Sequence, residues 1–533
     1  MGLNQIALSN YDTVVAITQN GVNESLAEYL AALNKNVALY YDVDANGNYV
    51  PADPSTAYYI FTGTLGYAVD GNNNPIDIVT LSTDTGNQTI HYNITFSSAE
   101  FKSTVAPLFD DVQEAGAPWI IQFLVNLQMA EVQLNTLPQA AQQAIQNTLG
   151  PLGINTFSIQ QLYADLNTAA YDTVSSSIPG MTSFAESIFA GIMASYMASL
   201  AANNQLIFGY AVQAPTSLSQ PPTLLPTALE FCVTPYTDGG GNHSQPSLDT
   251  LNYLVMTQDR PFPSSLPSAW GFNWVDDSTV QGAMAIRHEL YLPILIKSLT
   301  PMLTTITPTL YVKADGNDGI NDQPMALNPC TTTPAFTTTA ASTGVVATYS
   351  YEPKTAVDTD SFTGGGVSVS LSFSSSCSVS VSGSTVSLSG SVTVSTDVEA
   401  VTGCSIDDET MPATTYSWSV DLVLQMDLTA NGQLDYAIVN QNFSSNPTVE
   451  PQNQSAWDKF WESVGGIYQT FVDNVDIRGS IQSNVLNTIA PALTAAINSP
   501  NHFVFPGANT FLFANPQFSG AGDLVVDLTY MTP

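Results

Sequence analysis

One stretch in the last quarter of the chain alternates apolar and polar residues over an unusual length. Between Tyr416 and Leu428 every second residue is apolar, and Val423 is the only apolar residue at the intervening positions. Strict alternation predicts a β-strand with one buried face, because successive side chains point to opposite faces. Such a strand would span roughly 44 Å at strand rise. A strand this long must curl around whatever covers its apolar face.

The first half of the chain shows a helix, a group of strands and a second helix. Helical spacing predicts a first helix with the apolar positions Val15, Val22, Leu26 and Leu30. Short strands are predicted at residues 37–41, 57–65, 78–81 and 91–96. A long alternating strand follows from Trp119 to Met129, and a second helix from about Met181 to Ala202.

The second half repeats this order of elements. A helix is predicted from about Met284 to Leu303, followed by strands that include the one at Tyr416. That strand turns at Asn431-Gly432, a pair favoured in hairpins. A last helix at residues 481–497 precedes two final strands at 503–513 and 524–530.

The repeated order predicts an α+β fold of two units, each a long, strongly curved antiparallel sheet wrapped around long helices. The predicted units are residues 1–210 and 284–533, with a connecting strand region at 211–283. Periodicity leaves open whether each wrap closes on a packed core or encloses a lipid-sized tunnel. The candidate tunnel-lining residues are Phe184, Ile188, Ile192 and Tyr196 on the helix and Trp418, Leu422 and Met426 on the strand. The same residues fit an ordinary core.

The charge balance restricts the partners. The chain has 45 acidic and 9 basic residues and a formal net charge of -36. Duplex nucleic acid is not expected as a partner, because its phosphates require basic residues. Simple docking on an anionic membrane is disfavoured for the same reason. Neither a secretory signal peptide nor a transmembrane segment is expected, since the start lacks a basic and an apolar region and residues 184–200 fit a buried amphipathic helix.

One loop has the spacing of a calcium site. Asp42, Asp44 and Asn46 precede Gly47, and Asp53 stands at the twelfth position. The last ligand is Asp instead of the usual Glu, and no flanking helices are predicted. Asn46-Gly47 fits a hairpin turn equally well, so both interpretations stand. No other cofactor is expected.

No pattern of residues indicates catalysis. The four histidines are scattered, and no nucleophile elbow, phosphate-binding loop or dinucleotide fingerprint is present. We therefore expect no enzymatic activity. An acidic hydrolase stays open as an alternative, because its two carboxylates would meet only in space. Cys377 and Cys404 flank a strand-rich segment, and whether they pair is also open.

Four stretches together resemble one family. They are Tyr11-Asp-Thr-Val with the helix pattern after it, Leu251-Asn-Tyr-Leu-Val-Met-Thr-Gln-Asp-Arg-Pro-Phe-Pro, Arg287-His-Glu-Leu-Tyr-Leu-Pro-Ile-Leu and Phe503-Val-Phe-Pro-Gly-Ala-Asn-Thr-Phe. They resemble the clostridial neurotoxin-cluster accessory proteins of the forty-seven-kilodalton and OrfX type, within the tubular lipid-binding (TULIP) superfamily. The motifs look architectural, with Arg287 and Glu289 at a helix start and Pro506-Gly507 in a turn.

The resemblance implies two TULIP-like units without enzymatic activity. It also implies binding of a lipid or apolar small molecule, and an accessory role beside a toxin or another protein, with insecticidal toxins among the candidates. Location would then be the producer's cytoplasm, or outside the cell by a route shared with the toxin. This chain departs from the family by its low Lys and Arg content, which disfavours the binding of anionic lipid head groups. The alternative is a structural or protein-interaction module with solid cores and no ligand.

Overall fold

The computed structural model describes residues 8–31, 36–66, 76–81, 87–149, 158–203, 206–213, 224, 226–307, 309–312, 325–328, 334–352, 356–362, 365–402, 405–427, 433–445, 483, 503–504 and 511–530. The chain divides into two compact units. The first contains residues 1–286, 499–514 and 525–533, and the second contains residues 287–498 and 515–524. Residues 226–286, which fall largely in the predicted connecting region, belong to the first unit.

The elements follow in chain order. Up to residue 286 they are β1 (Thr13–Thr18), α1 (Gln19–Ala31), β2 (Asn36–Val43), β3 (Tyr49–Pro51), β4 (Tyr59–Leu65), β5 (Val79–Leu81), β6 (Thr89–Ser103), β7 (Asp110–Val112), β8 (Trp119–Val132), α2 (Gln139–Leu149), β9 (Ser158–Tyr171), α3 (Ser183–Asn203), β10 (Leu206–Gln213), β11 (Pro226–Thr234), β12 (Thr250–Thr257) and β13 (Gly282–Ile286). The second unit then contributes α4 (His288–Ile306), β14 (Thr309–Val312), β15 (Met325–Asn328), β16 (Thr337–Thr338), β17 (Gly344–Tyr351), β18 (Ala356–Phe362), β19 (Gly365–Ser382), β20 (Thr385–Thr402), β21 (Ser405–Asp427) and β22 (Gln433–Ser445). The last strands are β23 (Phe503–Val504), β24 (Phe511–Phe518) and β25 (Leu524–Tyr530). Within the described ranges no helix is long and apolar enough to cross a membrane.

A ten-stranded sheet in the first unit curls around α3. Its path runs β23-β10-β9-β8-β6-β4-β2-β3, with β5 and β7 paired to β6, and its described pairings are antiparallel. The rings that Phe189 of α3 contacts are Phe61 in β4, Phe101 in β6 and Trp119 in β8. Tyr49 of β3, at the end of the path, lies against Gly191 of the same helix. A flat sheet could not bring all these strands to one helix, so the sheet is strongly curved.

A six-stranded sheet has the order β11-β12-β1-β13-β25-β24 and belongs to the first unit except for residues 515–518 of β24 and Leu524 of β25. Every residue of β1, β12 and β13 is buried. Part of the cover comes from the segment between β12 and β13, where Trp270, Phe272 and Trp274 pack with ring centroids 4.9–5.8 Å apart. These aromatic side chains join the core cluster of the sheet.

Two of the family-like stretches are neighbours in this sheet. The carboxylate of Asp12, fully buried before β1, accepts hydrogen bonds from the backbone N and the hydroxyl of Thr257, each 2.9 Å long. It also pairs with the guanidinium of Arg260. The rings of Tyr11 and Phe262 lie 6.5 Å apart. These contacts join the two stretches and give both a structural role.

The second unit contains a seven-stranded sheet in the order β16-β17-β19-β20-β21-β22, with β18 paired to β19. Its strand β21 includes the alternating stretch and extends back to Ser405. The buried residues of this stretch are Trp418, Val420, Leu422 and Leu424, and those between them are exposed or half-buried. The predicted one-sided strand is confirmed. On the outer face, serine hydroxyls pair across β19 and β20 at 3.0 Å (Ser376 and Ser391) and 2.8 Å (Ser378 and Ser389).

Several predicted boundaries were wrong. Val15 lies in β1 and not in a helix, which begins at Gln19. The helix predicted from Met284 begins at His288, because Met284 belongs to β13. Helix α2 was not predicted. The predictions at residues 431–432, 481–497 and 506–507 and at Cys404 lie outside the described residues, apart from Ser483, which is helical.

Candidate ligand-binding site

Helix α3 is tightly packed against the sheet around Phe189. Phe189 is fully buried, and its ring centroid lies 5.2 Å from Phe61, 5.1 Å from Phe101 and 6.0 Å from Trp119. Such edge-on aromatic contacts fill space efficiently. The wrap therefore has a closed core at this level.

The predicted lining residues of α3 have different environments. Ile188 and Ile192 are buried, with 5% and 1% of their surfaces exposed. Phe184 is 50% exposed and only its ring edge meets Phe109, at 6.4 Å. Tyr196 is half-buried. The structure therefore brings Ile188, Ile192 and Tyr196 into the wrap and leaves Phe184 at its margin.

Two partly accessible tyrosines, Tyr92 of β6 and Tyr196 of α3, lie towards the other end of α3. Tyr92 in β6 is paired in register with Phe123 of β8, which is fully buried, so its ring is on the concave face of the sheet. Tyr92 and Tyr196 nevertheless both keep accessible surface. We call the surroundings of Tyr92 and Tyr196 the tyrosine recess.

The pKa values show how strongly protein encloses these phenols. Burial raises the pKa of Tyr92 well above its ordinary value, and the nearby Tyr196 raises it further. Burial also raises the pKa of Tyr196, with a further contribution from Tyr41 of β2. Neither Tyr92 nor Tyr196 donates its hydroxyl to any protein group within the described ranges.

Sequence reasoning missed Tyr92, although a signal was present. Ile90, Tyr92, Ile94 and Phe96 alternate with polar residues and indicate one apolar face. Nothing in the sequence indicates that this face meets Tyr196.

The described part of the corresponding face in the second unit is buried. Trp418 and Leu422 are 4% and 0% exposed, and the edge of the Trp418 indole lies over Gly390, where a Cβ would come within 2.6 Å of the ring. Tyr291 of α4 is hydrogen-bonded through its hydroxyl to that of Tyr436 in β22. Met426 pairs with Leu434 in the β21–β22 register, and its side chain lies outside the described part.

The residues of the calcium-like loop take part in turns. Asp44 accepts hydrogen bonds from the backbone N of Asn46 and of Asn48, both 2.8 Å, and these bonds lower its pKa. Asp53 accepts two bonds from Ser55, and Asp42 accepts one from the backbone N of Tyr58 at 2.8 Å. Within the described ranges no group of three His, Cys, Asp or Glu side chains could hold a metal. Calcium binding here stays a prediction.

The other polar groups act locally. His243 contacts both oxygens of the buried Asp249 carboxylate at 2.8 and 2.9 Å, and the same carboxylate accepts from the Tyr236 backbone N at 2.7 Å. Cys377 is a buried free thiol, and burial raises its pKa to about 12. A thiol with a raised pKa is a poor nucleophile.

Two of the solved structures that are similar to this chain are compared with it here by identity, coverage and TM-score. No protein-family model matches the chain, and no curated protein matches it in sequence. The crystal structure of P47 of Clostridium botulinum E1 has 10% identity, covers 98% of this chain and 99% of that chain, and gives a TM-score of 0.43. The crystal structure of lipopolysaccharide binding protein has 9% identity, covers 98% and 100%, and gives a TM-score of 0.31.

Proposed function

We propose that the first unit binds an elongated apolar ligand, a lipid or similar small molecule, at the tyrosine recess, and that it does so without catalysis. The observation that carries this proposal is the state of Tyr92 and Tyr196. Both stand within the curled wrap, yet both retain accessible surface and have no protein partner within the described ranges. Apolar pockets with a few converging polar groups are the usual form of small-molecule sites.

The neighbouring residues suit a hydrocarbon chain. Ile90 and Ile94 flank Tyr92 on the concave face and are buried, and Leu200, one turn after Tyr196 in α3, is half-buried. Burying apolar surface from water stabilises a complex by roughly 25 cal/mol per Å² before the losses of association are subtracted. A chain lying along these side chains would gain chiefly from this burial.

The test is native mass spectrometry of the full chain after incubation with lipids and removal of the excess. We expect one bound lipid, recovered chemically unchanged. Tyr196→Arg should abolish uptake, since it places a charge in the recess. Ala198→Arg, on the exposed face of the same helix, is the matched control and should bind normally. Uptake by neither the wild type nor the control would contradict the proposal.

The finer architecture belongs to the same proposal. We propose that both units are of the tubular lipid-binding type and that the second differs by its closed face. An accessory role beside a toxin is supported by the family-like stretches, two of which meet through Asp12 and Arg260. Capture of a toxin by the purified chain in a binding assay would test that role, and failure of every candidate toxin from the same source to bind would contradict it.

The second candidate function is an interaction module with solid cores. It is favoured by the closed packing at Phe189 and by the buried pair of Tyr291 and Tyr436. It predicts that no lipid is taken up by either unit, so the same experiment decides between the two.

A further inference from the structure

The face of the ten-stranded sheet that points away from α3 carries exposed apolar side chains at one end. Phe61 of β4 and Phe101 of β6 are paired in register, and both rings contact Phe189 of α3. Their chain neighbours Ile60 and Lys102, which are also paired, therefore point away from the helix, because successive side chains of a strand alternate between its faces. The register of the adjoining strands places further residues on this outer face.

Two tyrosines and an isoleucine are neighbours on the outer face. Tyr40 of β2 is paired with Ile60. Tyr58 lies two residues before Ile60 and so on the same face, and its carbonyl accepts a hydrogen bond from the Thr104 backbone N at 2.8 Å. Tyr58 is 43% exposed, and Tyr40 and Ile60 are half-buried. Opposite residues of antiparallel strands have Cβ atoms about 4.5–5.5 Å apart, so these side chains form one surface.

Strand β7 adds two exposed apolar residues to this surface. Val112 is paired with Glu100 of β6, whose side chain is on the outer face, and is 58% exposed. Leu108 precedes Phe109, whose ring centroid lies 5.0 Å from that of Phe101 on the inner face. Leu108 therefore points outward, and it is 72% exposed. We call the five apolar and aromatic residues of this face the outer patch: Tyr40, Tyr58, Ile60, Leu108 and Val112.

The grouping of these residues distinguishes them from other exposed apolar side chains of the described ranges. Val174 in a turn, Val345 in β17 and Val439 in β22 stand apart on other elements. Single apolar residues are ordinary on a protein surface, whereas a contiguous group marks an interaction site. Tyrosine is also enriched where proteins meet. The outer patch therefore has the composition of a protein-docking surface.

The charged groups beside the outer patch restrict its partner. Lys102 is paired with Asp110 of β7, and its ammonium binds Glu100 at 2.6 Å. Asp42 accepts a hydrogen bond from the Tyr58 backbone N at 2.8 Å. These groups comprise three carboxylates and one ammonium, so a basic surface complements them. A second copy of this chain does not, because each copy has a net charge of -36.

We propose that the outer patch docks a partner protein whose contact surface combines apolar side chains with Lys or Arg. The apolar side chains supply the buried area, and Asp42 and Asp110 pair with the cations of the partner. The outer patch and the tyrosine recess lie on opposite faces of the sheet, so this inference does not rest on lipid binding.

The probe is a displayed library of random peptides, selected separately on the full chain and on each variant at physiological salt. Leu108→Ser with Val112→Thr removes the apolar contacts and keeps a β-branched residue in the strand. Val174→Thr, at a position that is 91% exposed outside the patch, is the matched control. We expect the wild type and the control to enrich the same peptides, which combine Leu or aromatic residues with Lys or Arg. The double variant should lose them.

A synthetic peptide with the leading enriched sequence gives the magnitudes. It should bind the double variant about tenfold or more weakly than the wild type, which is the size of a hot-spot loss. Asp110→Asn should weaken binding at low salt and have less effect at high salt, because salt screens exposed charges. Thermal unfolding of each variant checks that it is folded.

The possible outcomes include the other occupants of such a surface. Peptides that bind the double variant as tightly as the wild type, peptides without basic residues, or no enriched peptide would overturn the proposal. Dimers seen by light scattering and abolished in the double variant would assign the patch to a second copy. Phosphatidylcholine vesicles that sediment the wild type and not the double variant would assign it to a membrane, and either result would overturn the proposal.

The same double variant keeps this proposal separate from the proposed lipid site. Its substitutions lie on the outer face, so it should take up lipid as the wild type does. Lost peptide binding with normal lipid uptake would support the docking surface, whatever the result of the lipid experiment on the wild type.

Discussion

Each unit places a tyrosine of its long helix opposite a tyrosine of its sheet. In the second unit Tyr291 and Tyr436 are hydrogen-bonded to each other and buried, with 1% and 5% of their surfaces exposed. In the first unit Tyr196 and Tyr92 are near each other and half-buried, and within the described ranges neither hydroxyl is bonded. The tyrosine pair is therefore buried and hydrogen-bonded in the second unit and partly accessible in the first.

The difference concerns how completely side chains cover the apolar face of each sheet. Closure depends on whether the side chains between helix and sheet fill the space. In the second unit Trp418 and Leu422 are buried, and in the first unit Phe189, Met193 and Met197 of α3 are fully buried while Tyr92 and Tyr196 keep accessible surface. The proposed site is the part of the wrap that packing leaves incomplete.

The largest effect on stability is expected from a cavity-creating substitution in the core around α3 of the first unit. Phe189→Ala removes a fully buried ring and should destabilise the unit by about 3–5 kcal/mol. Phe184→Ala, at a half-exposed position one turn earlier, is the matched control and should cost about 1 kcal/mol or less. Denaturant unfolding followed by hydrogen exchange of α3 peptides measures both. Equal losses of unfolding free energy for the two variants would contradict the tighter packing of α3 at Phe189 than at Phe184.

The next effect concerns how the two helices begin. The hydroxyl of Thr182 accepts a hydrogen bond from the Ala185 backbone N at 3.3 Å and so caps α3 locally. The carboxylate of Asp523 accepts one from the His288 backbone N at 2.8 Å and caps α4 from a turn distant in sequence.

Burial raises the pKa of Asp523 to about 6. Between pH 3.8 and about 6, Asp523 therefore keeps its proton in the folded unit and loses it in the unfolded chain. This contribution is complete at low pH and is lost as the pH rises through about 6.

We therefore expect the second unit to lose about 2–3 kcal/mol between pH 4 and pH 7 through this group. Asp523→Asn keeps an acceptor for the His288 N–H and should remove that part of the pH dependence. Glu289 contributes to the pH dependence in the opposite sense. Its hydrogen bond from Arg287 lowers its pKa, so its contribution to stability is present at neutral pH and is lost as the pH falls. The difference in unfolding free energy between wild type and variant at pH 5 and pH 7.5 isolates Asp523. A difference independent of pH would contradict the raised pKa.

The tyrosine pairs should respond differently to loss of a hydroxyl. Tyr291→Phe should destabilise the second unit by about 1–3 kcal/mol, because it leaves the buried Tyr436 hydroxyl without its partner. The double variant with Tyr436→Phe should recover part of that loss, and a double-mutant cycle measures the coupling. Additive effects would show that the buried pair does not act as a unit.

The smallest effect is expected in the tyrosine recess without ligand. Tyr92→Phe and Tyr196→Phe remove hydroxyls that have no acceptor within the described ranges, so each should change the unfolding free energy by about 0.5 kcal/mol or less. The same denaturant titration as for Tyr291→Phe gives the comparison. A loss as large as that of Tyr291→Phe would show that these hydroxyls already have partners and that the recess is closed.

Sequence reasoning predicts one-sided elements best. The alternation at Trp418 to Leu424 and along β8 identified long strands, because one face of each is buried. The start of α4 was misplaced because β13 is buried on both faces, so its sequence lacks the apolar–polar alternation that would mark it as a strand. Helix α2 was not predicted because its sequence is rich in Gln and Ala, and Ile145 and Leu149 are its only large apolar residues.

The candidate site was predicted only in part. Tyr196 follows from the helical stripe of α3, and Tyr92 could have been found from the alternation in β6. Their meeting depends on the curl of a sheet whose strands are distant in sequence. Whether the space between them is filled depends on packing, which no local pattern encodes.

The most direct test of an open first unit and a closed second unit is photo-cross-linking with a diacylglycerol that carries a diazirine in one acyl chain. Labelled peptides are identified by mass spectrometry, with excess unlabelled lipid as competitor. The account predicts competable labelling of β6 and α3 around Tyr92 and Tyr196, and none of β21 and β22. Labelling confined to β21 and β22, or labelling that the competitor does not reduce, would contradict it.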